Sequence, residues 1–318
     1  MTEPLNKQAA GYRHALYAAS LAEFGTPIEL PSCGGWILKR HIPGYPNYDG
    51  MGCYPLFACQ DWGLLKADLE NVGDQLVSLA LVADPFGTYS PAYLQQCFRD
   101  VVTPFKEHFV IDLRAPAAAF ISEHHRRNAR KALQKIGVER CDDPNAFLND
   151  WCKLYRYLID RHEIGGIAAF SEPAFRQQLR VPGLVAFRAE YEGSTIGMLL
   201  WYVQDEVGYY HLGAYNEKGY ALKVSFGLFW QAIHYFAREG LRWLNLGAGV
   251  GATTVIDQGL SRFKRGWATG KRTAYFCGRI FDHTAYRAII QAGDHKGTDY
   301  FPAYRRGEFS SLSFREGR

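Results

Sequence analysis

The 318-residue chain lacks a long apolar run, and its longest one reaches only from Leu76 to Ala83 and includes Ser78. A helix needs roughly 20 apolar residues to cross a bilayer, so the sequence predicts no membrane span. The amino-terminal stretch has an acidic residue near its start and no apolar core, so a secretory signal is not expected. We therefore expect a cytoplasmic protein.

Sequence patterns that bind metals are also absent. The seven cysteines form no CxxC pair, and the ten histidines form no HExxH motif. His124 and His125 are adjacent, but a helix would direct neighbouring side chains to different sides. The sequence predicts reduced thiols and no metal site. It also shows no internal repeat and no flexible low-complexity linker.

The composition, with 47% apolar and 21% charged residues, is that of a folded protein, and its charge is unevenly distributed. Residues 123–140 carry a net charge of +4 and residues 261–318 carry +7, which leaves −7 for the remainder. Two positive segments on an otherwise acidic chain favour an anionic partner such as a phosphate, a nucleotide or RNA. The alternative is that both segments are solvated surfaces.

Apolar periodicity and turn residues predict the order of secondary structure in the second half. The pattern gives a helix over 147–162, strands over 183–191, 194–204 and 208–216, a helix from about Leu222 to Arg238, and strands over 241–249 and 271–281. This order predicts an α/β or α+β fold in which helices flank a mixed sheet. The start of the helix near Leu222 follows a strand, so it is a candidate anion site.

A basic helix is predicted from about Pro116 to Lys135. Four cations share one of its faces: Arg126, Arg127, Arg130 and Lys131. Like charges four residues apart on a helix cost a few tenths of a kcal/mol, roughly, so an anionic partner would relieve them. These residues are candidate phosphate or RNA contacts. An exposed connecting helix without a ligand is the alternative.

A glycine-rich stretch over 247–270 is the second candidate site. Gly247 and Gly249 follow a strand, where glycine allows close approach of the backbone to a ligand. Neither a Walker lysine nor the GxGxxG spacing is present, so a plain loop is the alternative. The later RFKRG segment places three cations around Phe263, and Lys264 can neutralise negative charge that develops during a reaction.

Three segments, in this order, resemble the FemAB-like branch of the GNAT acyltransferase superfamily. They are HHRRNARKALQKIGVE, the strand-helix-strand unit over 208–249 that ends in LNLGAG, and GLSRFKRGWA. The similarity covers roughly residues 30–280. It implies two GNAT-like halves with acyl or aminoacyl transfer to an amine in the cleft between them. Their implied boundaries are a degenerate half at 1–115, a basic connecting helix at 116–140, an acyltransferase half at 141–285 and a basic tail at 286–318.

The resemblance also implies roles for individual residues. Lys264 would stabilise the oxyanion that forms when the amine attacks, and the acyl donor would contact Phe263. Arg262, Arg265, Gly247 and Gly249 would belong to the same donor site, whereas Lys39 and Arg40 would contact a phosphate of the acceptor. Direct attack by the amine requires no covalent enzyme intermediate. No tightly bound cofactor is implied, because aminoacyl-tRNA or acyl-CoA would act as a cosubstrate.

The sequence departs from better-known relatives at two points. Residues 216–225 lack the Gln/Arg-x-x-Gly-x-Gly/Ala loop of CoA-dependent GNAT enzymes, and no heptad repeat predicts a coiled-coil arm. The donor therefore stays open between tRNA and CoA, and the acceptor is a small-molecule or precursor amine. His211 and Asp205 are candidate general bases, although a histidine on a strand is more often structural.

Other functional classes also remain open at this point. A non-catalytic GNAT-like module that binds RNA or a phosphorylated metabolite would have the same positive segments, and a carrier of an unrelated small ligand is a third reading. The segment from Tyr300 onward is either an ordered strap across the cleft or a loose tail. The oligomeric state is not predicted.

Overall fold

The computed structural model describes residues 9–249, 255–293 and 297–308. These contain the strands β1 (Thr26–Leu30), β2 (Gly35–His41), β3 (Tyr48–Gly52), β4 (Ser78–Val82), β5 (Val101–Asp112), β6 (Gly137–Cys141), β7 (Leu184–Tyr191), β8 (Ser194–Gln204), β9 (Val207–Tyr215), β10 (Trp243–Ala248) and β11 (Gly270–Ile280). The helices are α1 (Ala15–Ala19), α2 (Leu65–Val72), α3 (Pro91–Cys97), α4 (Ala117–Phe120), α5 (Glu123–Leu133), α6 (Leu148–His162), α7 (Glu172–Gln178), α8 (Glu217–Ala221), α9 (Val224–Arg238), α10 (Val255–Arg265) and α11 (His283–Ala292).

The strands of the described residues form one sheet, in the order β1-β2-β3-β4-β11-β5-β10-β9-β8-β7-β6. The β3–β4 and β9–β10 pairs are parallel, and the other pairs are antiparallel. The predicted mixed α/β fold with flanking helices is therefore confirmed. Strands from both expected halves share this sheet because β11, late in the chain, lies between β4 and β5. The boundaries of the two halves stay a prediction.

A long antiparallel ribbon of β5 and β11 forms the centre of the sheet. Its register shifts between Ala274 and Tyr275, and Tyr275 lies opposite Pro104. Proline has no N–H to donate to the ladder, which is a common reason for such an irregularity. Residues 103–107 of β5 are all exposed, so both sides of the ribbon are open at this point.

Helices cover the two faces of the second half of the sheet. We call the face that carries Tyr209 and Trp243 the front face, and the face that carries Tyr210 and Leu244 the back face. Apolar residues of α1, α6 and α7 pack on the front face, whereas α5, α9 and α10 pack on the back face. Since side chains alternate along a strand, neighbouring residues of β9 or β10 contribute to different cores.

Two expected helices differ in detail from the sequence prediction. The expected helix over 116–135 is divided into α4 and α5, because the Ser122 side chain accepts the His125 N–H at 3.3 Å and begins a new helix. The expected helix from Leu222 is preceded by α8, with Lys223 in the left-handed region (φ +55°) between α8 and α9. The plain-loop alternative for 247–270 is wrong for residues 255–265, which form α10.

The segment over 297–308 is held against β2 and β3 by a buried charge network. Asp49 is fully buried and accepts hydrogen bonds from Arg305 at 2.8 and 3.0 Å and from Arg40 at 3.2 and 3.3 Å. Glu308 in turn accepts a hydrogen bond from Arg40 at 2.9 Å. This part of the basic tail is an ordered strap, and residues 309–318 lie outside the described residues.

Candidate active site

The parallel strands β9 and β10 separate partway along the sheet. Their ladder ends where Asn245 of β10 lies opposite Tyr209 of β9. Beyond this pair, β9 continues to Tyr215, and β10 continues to Ala248 alongside β5. Within the described ranges, a gap therefore opens between two parallel strands. Backbone groups on its edges lack a partner strand, so they are satisfied by side chains or by a ligand.

Asn245 organises the strand edge at this gap. Its Oδ1 accepts the Gly247 N–H at 2.9 Å and the His108 Nδ1–H at 3.0 Å. Both Asn245 and His108 are buried. Burial lowers the pKa of His108 to about 4. The charge of nearby Lys264 also lowers this pKa, whereas the hydrogen bond to Asn245 raises it. The imidazole is therefore neutral near pH 7 and acts as a fixed hydrogen-bond donor.

Gly247 is required by the shape of the strand edge. Its φ of +73° is in the left-handed region, which side chains other than glycine rarely adopt. A Cβ atom at this position would lie 3.3 Å from Lys264 Nζ. The glycine predicted to approach a ligand thus also makes room for the lysine. Gly249 plays a similar part, because a Cβ atom there would collide with Ser261 of α10.

Lys264 of α10 reaches the gap from the back face and is 6% exposed. Its Nζ donates to the Ala248 carbonyl at 2.6 Å and lies 5.8 Å from the centre of the Tyr210 ring. Burial, and to a smaller extent the charge of Lys106, lower the pKa of Lys264 to about 7. An ammonium has three N–H donors, so this lysine can still donate to an oxyanion formed in the gap.

The other residues of the RFKRG segment lie in different surroundings. Arg262 and Arg265 are exposed. Phe263 is half-buried and packs inward, with its ring centre 5.1 Å from Phe226 and 5.0 Å from Phe229 of α9. The phenylalanine therefore positions α10 on the back face, and the two arginines extend from the surface of the same helix.

His125 joins the basic helix to α10, a role that the sequence did not indicate. Its Nδ1 accepts the Ser122 hydroxyl at 2.7 Å, and its Nε2–H donates to the Phe263 carbonyl at 2.9 Å. The ring also packs edge-on against Trp267 at 4.8 Å. Burial lowers the pKa of His125, which favours the neutral form that this pair of hydrogen bonds requires. The start of α5 therefore supports the helix that carries Lys264.

The predicted cationic face of α5 is accessible to solvent. Arg127, Arg130 and Lys131 are exposed and Arg126 is half-buried, and none of the four has an ion pair among the described residues. The opposite side of α5 packs on α9 through its buried alanines. This face is therefore free to bind an anionic partner on the back of the sheet.

Lys39 and Arg40 do not lie together with the other candidates. The donors of Arg40 are engaged by Asp49 and Glu308, so its side chain holds the strap. Lys39 donates to Gln75 at 3.3 Å beside a surface cavity of about 570 Å³ between β3 and α11. In the order of the sheet, their strand β2 is separated from β10 by β3, β4, β11 and β5.

Asp84 connects the first part of the chain to the gap, and sequence reasoning missed it. Its Oδ2 accepts the Tyr209 hydroxyl at 2.6 Å, and its Oδ1 accepts the Phe86 N–H at 3.0 Å. Burial raises the pKa of Asp84 to about 6, against these hydrogen bonds and the charges of Arg13 and Arg272. The carboxylate thus reaches Tyr209, the residue opposite Asn245 at the end of the β9–β10 ladder.

The two candidate bases from the sequence are engaged elsewhere. His211 is buried, donates to Gln178 Oε1 at 3.1 Å and accepts the Tyr12 hydroxyl at 3.2 Å. Burial lowers the pKa of His211 to about 3, so it stays neutral. Asp205 forms an ion pair with Arg13 at 2.9 Å. Both side chains therefore have structural contacts on the front face.

The described residues contain neither a metal-binding cluster nor a helix that could span a membrane. No group of three or more His, Cys, Asp or Glu side chains in the described ranges could hold a metal ion. In the same ranges, every helix is too short or too polar to traverse a lipid bilayer.

Comparison with protein families identifies the segment that contains most of this site. Residues 122–265 match the family model described as an acetyltransferase (GNAT) domain. This match supports acyl transfer as the general class of activity. No curated protein matches the chain significantly.

Solved structures with a similar fold cover most of the chain. FemX has 12% identity and a TM-score of 0.65, over 86% of this chain and 93% of its own. The C-terminal domain of a candidate lysylphosphatidylglycerol synthetase from Agrobacterium fabrum has 13% identity and a TM-score of 0.56, over 90% and 91%. L-PGS from Bacillus licheniformis has 15% identity and a TM-score of 0.51, over 90% and 98%. Residues 122–265 are therefore similar to a GNAT acetyltransferase domain, and the fold of the chain is similar to that of FemX.

Proposed function

We propose that this protein is an N-acyltransferase that moves an acyl or aminoacyl group from a carrier to an amine. The observation that carries the proposal is the buried ammonium of Lys264 at the gap between β9 and β10. The carrier is an aminoacyl-tRNA or an acyl-CoA, bound as a cosubstrate. The amine nitrogen attacks the carbonyl carbon, the new C–N bond forms, and the ester or thioester bond breaks. The carrier leaves through its ribose oxygen or thiol sulfur, which takes up a proton in exchange for the one that the amine loses.

Lys264 stabilises the negative charge that develops on the carbonyl oxygen. The ammonium is already held by the Ala248 carbonyl, so it needs little reorganisation when the oxyanion forms. Low exposure to water strengthens the interaction between the two charges. Because the pKa of Lys264 is lowered to about 7, the charge of this side chain at neutral pH depends on the charge of the molecule bound in the gap.

Asp84 and Tyr209 receive the proton that the attacking amine must lose. The hydroxyl of Tyr209 donates to Asp84, so a proton can move from the amine to Tyr209 as Tyr209 transfers its own to the carboxylate. A carboxyl group with a pKa near 6 is ionised at neutral pH and is a stronger base than an ordinary aspartate. The amine therefore approaches from the front face.

The phosphate groups of the carrier bind on the back face. The exposed Arg262 and Arg265 of α10 extend from the helix that carries Lys264, and the cationic face of α5 is joined to it by His125. Both a tRNA backbone and a CoA pyrophosphate are anions that such a surface attracts. These side chains are the proposed donor contacts, with Gly247 and Gly249 at the strand edge.

The test is to incubate the protein with single acyl-CoAs or charged tRNAs and a panel of amines, and to measure amide product by mass spectrometry. Lys264→Ala is expected to lower turnover at least about 100-fold, as does loss of other oxyanion donors. Arg306→Ala, an exposed cation in the strap, is the matched control. Salt-sensitive binding of RNA without amide product from any donor would instead support the non-catalytic alternative.

A further inference from the structure

Arg272 lies on the front face of the central ribbon, beside the proposed transfer site. It is opposite His108 in the register of β11 and β5, and Lys106 is opposite Ala274. Residues opposite one another, or two apart on one strand, share a face. One face of the ribbon therefore carries Arg272, His108 and Lys106. Val110 of β5 lies on the same face, and so does Asn245 of β10, which is opposite Val110.

Aromatic rings hold the Arg272 guanidinium in place. Its central carbon lies 4.2 Å from the ring centre of Phe86 and 4.8 Å from that of Trp243. Its one hydrogen bond within the described ranges is long, from Nη1 to the Pro85 carbonyl at 3.4 Å. A guanidinium has five N–H donors, so the group is oriented while most of its donors are left to a ligand.

Nearby carboxylates do not neutralise these cations. Neither Arg272 nor Lys106 forms a salt bridge with any residue that the structure describes. Asp84 is close enough for its pKa to be lowered by Arg272, but its oxygens accept hydrogen bonds from Tyr209 and Phe86. Glu107 is on the opposite face of β5 and accepts the Thr273 hydroxyl.

The location of these cations separates them from the carrier. The cations proposed to bind the carrier lie on α5 and α10, which pack on the back face. Arg272 contacts Phe86 and Trp243, which pack in the front core. His108, which lies opposite Arg272, donates to Asn245. Asn245 also accepts the N–H of Gly247, which lies beside Lys264, so the two sites are close to each other. An anion at Arg272 would thus be part of the molecule that approaches Tyr209.

We propose that Arg272, with Lys106, binds a carboxylate or phosphate group of the amine acceptor. This inference rests on the proposed function, since it assigns the front face to the acceptor. A planar guanidinium presents two parallel N–H groups that match either anion, and the lysine adds a point charge. The acceptor would then be a small amine that carries an anionic group at short distance from its nitrogen.

Calorimetry without any donor tests the site independently of catalysis. The probes are matched pairs: glycine against glycinamide for a carboxylate, and phosphoethanolamine against ethanolamine for a phosphate. At least one anionic member is expected to bind about ten-fold or more tightly than its neutral partner. Arg272→Gln should remove most of that difference, and the pair that shows it identifies the anion.

The matched control is Arg279→Gln on the same strand. Arg279 also donates to one carbonyl at 3.4 Å and lies 4.9 Å from an aromatic ring, so it resembles Arg272 in its contacts. This control should retain the preference for the anion. If Arg272→Gln fails to fold, Lys106→Gln replaces an exposed side chain and should weaken the same preference.

The results separate the two proposals. Equal affinity for both members of each pair, or no binding of any probe up to about 10 mM, would overturn the anion site. An equal loss of the preference for the anion in Arg279→Gln would also overturn the anion site, because the preference would then depend on the net charge of the protein. Selective binding that depends on Arg272, in a protein that forms no amide from any donor, would preserve the anion site and reject the acyltransferase.

Discussion

At the scale of single residues, the site combines two ionisable groups whose environments move their pKa values toward neutrality. Burial lowers the pKa of Lys264 to about 7 and raises the pKa of Asp84 to about 6. Both shifts disfavour the charged form, because water is excluded from each side chain. A buried side chain that remains charged near neutral pH, despite this cost, can interact strongly with charge that develops nearby during the reaction.

The pH dependence of activity follows from these two directions. The reaction as proposed requires ionised Asp84 and protonated Lys264, so kcat/KM should rise as pH increases through about 6 and fall above about 7. Lys264→Arg should remove the alkaline limb, and Asp84→Asn should remove the acid limb. The profile is measured with a weakly basic acceptor amine that stays unprotonated over the whole range. A wild-type profile that keeps rising beyond pH 8 would then contradict the role given to Lys264.

Only part of this residue set was predictable from sequence. Lys264 stood out because its neighbours along the chain are also cations. His108 and Asn245 are 137 residues apart, and Asp84 and Tyr209 are 125 apart, so no local pattern connects the members of either pair. Each of these residue types is ordinary at its position, and only the folded sheet brings them together.

At the scale of elements, the junction between α5 and α10 determines where Lys264 lies. The Ser122 N–H donates to the Gly266 carbonyl at 3.0 Å, and His125 donates to Phe263, so the start of one helix holds the end of the other. Gly266 has no side chain, which leaves room for the His125 ring against it. Movement of α5 would therefore move the ammonium of Lys264.

Replacement of His125 tests this junction. His125→Ala removes a buried hydrogen-bonded ring, and we expect the free energy of unfolding in urea to fall by about 2–4 kcal/mol. The control is Arg127→Ala on the same helix, which truncates an exposed side chain and should cost about 0.5 kcal/mol or less. If the two variants unfold at the same urea concentration, His125 does not hold the junction.

Element boundaries were predictable where the local signals were strong. The helix expected over 147–162 is α6 (Leu148–His162), because its apolar spacing and flanking turn residues agree. The helix expected over 116–135 was wrong at Ser122, where a capping side chain begins α5. The helix over 255–265 was not predicted. Gly259 lowers helix propensity there, but packing on the back face favours the helix.

At the scale of the whole molecule, the strap joins the end of the described chain to the first strands. Asp49 on β3 is shared by Arg40 and Arg305, and Glu308 completes the charge balance. A buried carboxylate that loses one partner retains its desolvation cost without full compensation. The strap therefore contributes to the stability of the sheet edge formed by β1, β2 and β3.

Arg305→Met should lower the free energy of unfolding by about 3 kcal/mol, since it leaves a buried carboxylate with a single cation. Arg306→Met, one residue further along, replaces an exposed side chain and should change it by less than about 0.5 kcal/mol. Both are measured by chemical denaturation of the intact chain. Similar losses in the two variants would show that the network does not stabilise the fold.

The sequence by itself determined the class of fold, the order of α6, α9 and the strands β7 to β11, and the cations of α5 and α10, whereas α7, α8 and α10 were not predicted as helices. These properties depend on periodicity, turn residues and local charge, which are all readable along the chain. Tertiary structure alone decided that β11 joins the two parts of one sheet, that Lys264 is buried at the end of the β9–β10 ladder, and that Asp84 meets Tyr209. The physical reason is that burial, and the pKa shifts it causes, arise from residues distant in sequence that exclude water together.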